Sequence, residues 1–237
     1  MGNKRLLKIL LIVGGLIFAL FCLFYAYTLD YYRADPQVVD AFSNDEVRIH
    51  EQKDHILFYP EPSKDQKIGI IFYPGGKVEP MAYAPLLEQL THEGMTCLLL
   101  PMPMNLAVFH INAADGVYDQ YPDIEHWYLI GHSLGGAMAS GYDGKHEGKL
   151  DGLILLGAYP MERTDTPTIS IHGSEDLGLN MDKFEKTDVI IEIVGGNHAY
   201  FGNYGEQEGD GTATITREEQ QQQTIEAIIG FIHTTKE

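Results

Sequence analysis

The chain of 237 residues is 44% hydrophobic and carries a formal net charge of −18. That is enough apolar residue for one buried core, and too much negative charge for a surface that tracks nucleic-acid phosphates. Its two cysteines, Cys22 and Cys97, cannot build a disulfide framework. Both fall in apolar runs, and neither is expected to be bridged.

The opening MGNKRLLK supplies Lys4, Arg5 and Lys8, and Ile9 to Leu29 then carries no charge. About 20 apolar residues cross a bilayer core as a helix. Tyr25, Tyr27, Tyr31 and Tyr32 form the aromatic belt expected at a lipid–water interface, and the basic flank orients the N-terminus to the cytoplasm. A cleaved signal peptide would have an apolar core of roughly 7–15 residues and small residues at the cleavage site. Here the run is longer and ends in bulky residues, and Phe21 before Cys22 is too large for lipoprotein-type processing. Residues 1–8 are therefore read as a cytoplasmic basic flank and 9–29 as an uncleaved, single-pass signal anchor in the cell membrane. Residues 30–45 are read as a polar linker and 46–237 as an extracytoplasmic domain.

Alternation at Val47–Ile49 and Ile56–Phe58 predicts two short strands. KIGIIFY (67–73) is a continuous apolar run closed by Pro74-Gly75-Gly76, as in a strand buried on both faces of a parallel sheet. Pro80–Glu93 reads as an amphipathic helix with Leu86, Leu87 and Leu90 on one side, stopped by Gly94. MTCLLL (95–100) is the next buried strand, and a helix is expected across Asp115–Tyr121. Strands follow at Trp127–Ile130, Leu150–Leu156, Thr168–Ile171 and Val189–Val194, with helices over Gly136–His146 and, briefly, 180–187. A last helix runs from Glu218 to Thr234, with Ile225, Ile228, Ile229 and Ile232 on one stripe and Gln220–Gln223 on a face expected to be solvated. Regular alternation after residue 67 predicts an α/β fold: a mostly parallel, doubly wound sheet.

In such a sheet chemistry sits at the carboxyl ends of the strands. GHSLG (131–135) there has the G-x-S-x-G pattern of a nucleophile elbow, where the serine occupies a strained turn and its neighbours must lack bulk. Ser133 needs a base, and the base needs a carboxylate to orient it. Of ten histidines, His198 follows the last strand after two glycines, and Asp176 follows the strand before it, with Glu175 as the rival acid. The order Ser133, Asp176, His198 is that of the strand–turn–helix nucleophile motif. The oxyanion of an acyl intermediate needs backbone N–H donors; Leu134 and Gly76 are the candidates, with Lys77 next. His132 and His172 are read as structural. Tyr200, Phe201 and Tyr204 are candidates for lining the substrate pocket. No histidine pair has a metal spacing, and Glu206, Glu208 and Asp210 do not match a calcium loop, so no metal or cofactor is expected.

GHSLGG, HGSED (172–176) and GGNH (195–198), in this order, resemble the α/β-hydrolase superfamily over about residues 55–235, and within it the dienelactone-hydrolase-like or alpha/beta hydrolase family 5 group. Many relatives carry His-Gly after the oxyanion strand, where this chain has Pro74-Gly75. Dienelactone hydrolases proper use a cysteine nucleophile, so with Ser133 in that place their substrate is not implied. The resemblance implies a serine hydrolase acting on a small-molecule or lipid-like carboxylic ester or thioester. An acyltransferase with the same triad, or a binding protein that keeps the fold without the chemistry, are the alternatives. The short connection GAYPMERTDTPT (157–168) leaves no room for a large cap, so an open site is expected.

Overall fold

The computed structural model describes residues 2–40, 47–60 and 67–236. The chain falls into two compact units, Met1–Tyr31 and Tyr32–Glu237. The first is one helix, α1 (Gly2–Leu29), and Lys4–Leu29 within it is long and apolar enough to cross a membrane. The domain start expected at Glu46, and the linker end before it, fall in 41–46, outside the described residues.

The second unit opens with a short helix, α2 (Pro36–Asp40), then strands β1 (Val47–Glu51), β2 (Ile56–Pro60) and β3 (Ile68–Tyr73). Helix α3 (Ala84–His92) and β4 (Thr96–Leu99) follow, then β5 (His126–His132), helix α4 (Leu134–Asp143), β6 (Gly152–Leu156), β7 (Thr168–Gly173), β8 (Val189–Ile193) and helix α5 (Arg217–Thr235). The eight strands form one sheet in the order β1-β2-β4-β3-β5-β6-β7-β8. β1 and β2 are antiparallel additions at one edge; every pair from β4 to β8 is parallel.

The apolar runs explain both faces. Alternate residues of β3 and β5 point to opposite sides, so Ile70, Phe72, Tyr128 and Ile130 join a core with Leu86, Leu87 and Leu90 of α3 and Ile225, Ile228 and Ile232 of α5. Ile71, Tyr73, Trp127 and Leu129 face the other way, against Ala139 and Tyr142 of α4. Helices on both faces make the sheet doubly wound, as expected. Gly94, at φ 95°, ends the α3 segment in the left-handed conformation that glycine adopts without strain.

Two sequence expectations need correction. Asp115–Tyr121 is not an α-helix: 3₁₀ turns at Ala113–Gly116 and Tyr118–Gln120 occupy it, after two more at Pro103–Asn105 and Ala107–Phe109. The Tyr73 hydroxyl donates to the Ile111 carbonyl at 2.6 Å and accepts the Ala114 N–H at 3.0 Å, so tertiary contact ties this backbone down before a helix can propagate. Residues 32–38, expected as connector, pack onto the second unit, with Ala34 and Val38 buried in its core.

Candidate active site

The turn between β5 and α4 carries Ser133 at φ 53°, ψ −120°, a region a residue with a side chain enters only under strain. Two bonds hold it there. The Ser133 N–H donates to the Leu156 carbonyl at 2.9 Å, and its own carbonyl accepts the Ala137 N–H at 3.0 Å. The flanking glycines are steric necessities. A Cβ on Gly131 would lie 2.6 Å from the Gly135 carbonyl oxygen, and one on Gly135 would strike the Tyr73 and Pro74 carbonyls. Ser133 and Leu134 are half-buried and line a cleft of about 520 Å³ together with Asp176 and His198.

His198 follows β8 and is 9% exposed. Its Nδ1 lies 2.7 Å from Oδ2 of Asp176, whose side chain is 2% exposed. Its Nε2 has no partner among the described residues. A carboxylate on Nδ1 fixes the tautomer that leaves Nε2 as the basic nitrogen. The rival acid is turned elsewhere, since Glu175 Oε1 accepts the Ser174 hydroxyl at 2.9 Å. His172 is buried, donating Nδ1–H to the Gly173 carbonyl at 3.1 Å with its ring edge on Phe184.

At the end of β3 the backbone donors divide. Gly75 N–H donates to the Tyr83 hydroxyl at 3.0 Å. Lys77 and Val78 N–H donate to the Asn105 and Gly75 carbonyls. The N–H groups of Gly76 and Leu134 have no acceptor among the described residues. The two residues are in contact: a Cβ on Gly76 would fall 2.9 Å from Leu134 Cδ2. Lys77, the second choice from sequence, is thus committed elsewhere.

His132 is fully buried and joins three of these segments. Its Nδ1 accepts from the Tyr83 hydroxyl at 2.7 Å, and its Nε2–H donates to the His198 carbonyl at 3.1 Å. The chain of bonds therefore runs from Gly75 N–H through Tyr83 and His132 to the backbone of His198. Every donor and acceptor on it is used once, which requires neutral His132 with its proton on Nε2. Burial holds the His132 pKa well below the usual histidine range.

The loop carrying His198 is fastened by residues the sequence reading passed over. Asp210 Oδ1 accepts the N–H of His198 at 3.1 Å and its Oδ2 that of Ala199 at 2.8 Å. Gln220, the fourth residue of α5, accepts the Asn197 N–H at 2.9 Å and donates to the Asn197 carbonyl at 2.8 Å. Gln221 donates to the Tyr200 carbonyl at 3.2 Å. Gln220 and Gln221 are buried, so the glutamine run is solvated only in its second half. The signal available in sequence was the N-cap: Thr216 and Glu219 form a capping box that sets α5's start and hence which glutamines face inward.

The aromatic residues after His198 do not line the cleft. Phe201 and Tyr204 are buried in the core, Tyr204 with its ring 5.5 Å from that of Tyr32. Tyr200 lies under the Arg217 guanidinium at 4.9 Å. A loop that must hold a histidine rigid spends its aromatics on packing. The cleft wall is instead Leu134, Ala137, Ala158, Tyr159, Met161 and Leu179. Ala158 to Met161 come from the helix-free connection between β6 and β7, the short link that leaves the site without a cap.

Residues 69–222 match the model of the "Alpha/beta hydrolase family". No curated protein matches the chain. Among solved structures it is similar to TT1662 from Thermus thermophilus at 12% identity and TM-score 0.54, over 78% of this chain and 98% of that one. It is similar to Est1E from Butyrivibrio proteoclasticus at 14% identity and TM-score 0.54, over 80% and 100%. A highly thermostable carboxyl esterase from Bacillus coagulans gives 13% identity and TM-score 0.52, over 80% and 98%. These likenesses establish the fold. The family match takes in the elbow, the acid and the histidine together, and with it the chain belongs to the alpha/beta hydrolase family.

Proposed function

We propose that the chain is a serine hydrolase that cleaves carboxylic esters or thioesters through an acyl-enzyme on Ser133. The observation that carries this is the pairing in one cleft of a serine on a strained turn with a histidine held by a buried aspartate. His198 Nε2 takes the Ser133 proton as Oγ attacks the carbonyl carbon. Asp176 keeps the imidazole in the right tautomer and stabilises its cation. The free N–H groups of Gly76 and Leu134 receive the oxyanion. The leaving alcohol or thiol takes the proton from His198, and water, activated by the same base, releases the acid. One of the structural neighbours is named a carboxyl esterase, which accords with an ester as the substrate.

The apolar helix, with Lys4, Arg5 and Lys8 at its start, supports a single-pass anchor that leaves the hydrolase unit outside the cytoplasm. The chemistry is tested with a fluorophosphonate probe and p-nitrophenyl esters of rising chain length. The wild-type chain is expected to be labelled and to turn over ester. Ser133→Ala is expected to lose labelling and to lose turnover by about 10⁴-fold or more, with its melting temperature unchanged. A folded wild-type chain that neither labels nor turns over would overturn the reading.

A further inference from the structure

The large apolar side chains left exposed on the hydrolase unit are gathered at one end of its sheet. Met161 (56%), Leu177 (72%), Met181 (51%) and Val194 (73%) stand on the connections that leave β6, β7 and β8 at their carboxyl ends, and Met104 and Val108 on the one that leaves β4. Met161 lines the cleft, and Leu177 lies between two residues that do, Asp176 and Gly178. Among the described residues of this unit the main exceptions are Val189 and Ile190 at the start of β8. Exposed hydrophobics scattered singly need no explanation; several gathered at the end of the sheet that carries the cleft mark a surface that meets an apolar partner.

The chain enters the unit at the same end. Tyr32 N–H donates to the Lys77 carbonyl at 2.7 Å, its carbonyl accepts the Glu79 N–H at 2.8 Å, and its hydroxyl accepts the Glu208 N–H at 3.3 Å. Lys77 follows Gly76 at the end of β3, and Glu208 lines the cleft. In sequence only Asp30 and Tyr31 separate Tyr32 from Leu29, the last residue of the apolar helix. Building on the anchored serine-hydrolase reading above, we infer that the cleft face of the hydrolase unit lies on the bilayer that holds the anchor. Its substrate is then an ester resident in that bilayer. The acyl chain passes over the apolar rim and lies along Leu134, Ala158, Tyr159 and Leu179, bringing its carbonyl to Ser133. At a net charge of −18 the chain gains nothing from anionic headgroups, so the contact is apolar insertion and tolerates salt.

The test uses the full chain in phosphatidylcholine nanodiscs. In a Cys22→Ser background, a bimane label is placed at Met181→Cys on the rim, or at Glu147→Cys on the turn before β6, at the opposite end of the sheet; Cys97 is buried and does not compete. Brominated lipid is expected to quench the label at 181 and to spare that at 147. In parallel, the double variant Met181→Ser/Val194→Ser is assayed on 4-methylumbelliferyl oleate held in the disc and on p-nitrophenyl acetate in water. The rate on the disc-borne ester is expected to fall by about tenfold or more, since withdrawing either of the two large apolar side chains from lipid is already worth about that factor. The rate on the soluble ester is expected to stay within about twofold. No quenching at 181, equal quenching at both positions, or equal effects on the two esters would overturn the inference. Loss of both activities in the wild-type chain, with no fluorophosphonate labelling, would instead sink the hydrolase reading, and the quenching result would still report whether the rim meets lipid.

Discussion

A proton on His132 has nowhere to go. Both ring nitrogens are engaged, Nδ1 as the acceptor from Tyr83 and Nε2–H as the donor to the His198 carbonyl, and a second N–H would face the Tyr83 hydroxyl hydrogen. The folded state therefore keeps His132 neutral below its ordinary pKa, while the unfolded chain takes the proton near pH 6.5. Since the unfolded state then binds more protons, stability falls as pH drops below about 6.5, with a slope of up to about 1.4 kcal/mol per pH unit from this group. Urea unfolding at pH 7.5, 6.0 and 5.0 measures that slope. His132→Gln, which can still accept and donate but does not titrate, is expected to lower stability at pH 7.5 and to flatten the dependence below it. An unchanged slope in the variant would show that other groups carry the acid sensitivity. Placement was legible where it depends on local sequence: the glycines packed around the turn at Ser133, and Asp176, one strand before His198 and 2.7 Å from its Nδ1. The bridge through His132 was not, because its partner Tyr83 lies 49 residues away and no pattern around either residue points to the other.

Elements were legible where burial is continuous. KIGIIFY and MTCLLL had to be strands of a parallel sheet, and β3 and β4 are. The failures have a common cause: polar and aromatic side chains that bond backbone at a distance. Tyr73 does this to the expected helix at Asp115–Tyr121, and Gln220 does it from α5 to the loop before His198. A glutamine reads as solvent-facing in a hydrophobic pattern, yet a buried loop needs partners for its backbone groups. Gln220 supplies both for Asn197. Gln220→Leu leaves a buried N–H and a buried carbonyl unpaired, at about 1–3 kcal/mol each. It is expected to lower the melting temperature by roughly 5–15 °C and to reduce kcat by about tenfold, because the loop that holds the proposed base His198 loses its fastening. KM is expected to change by less than about twofold, since Gln220 does not touch the cleft. A fall in stability with kcat intact would make Gln220 a stabiliser of the loop with no part in aiming the histidine.

At the scale of the molecule, where the hydrolase unit begins is a question of packing that composition alone misjudges. The stretch after the apolar helix is polar and contains Pro36, which reads as connector, and the sequence placed the domain's start at residue 46. Yet Tyr32 pairs with Val78 as an isolated bridge. Ala34 and Val38 lie in the core, and Asp35 meets Arg217 of α5 at 2.8 Å. Burying Val38 is worth about 1.5–3 kcal/mol, and the two backbone bonds of Tyr32 about 1 kcal/mol each. The ion pair, half-exposed, adds little. Two truncations separate the readings: 30–237 keeps these contacts, and 46–237 removes them. At about 2–4 °C per kcal/mol for a unit of this size, the shorter piece is expected to melt roughly 10 °C below the longer one. Its turnover is expected to fall as well, because Tyr32 braces Lys77 and Glu79 beside Gly76 and touches Glu208 at the cleft. Equal melting and equal turnover would return residues 32–40 to the role of a tether. The expected loss would make the first residues after the apolar helix part of the site's own support, and would explain why so few residues separate the two.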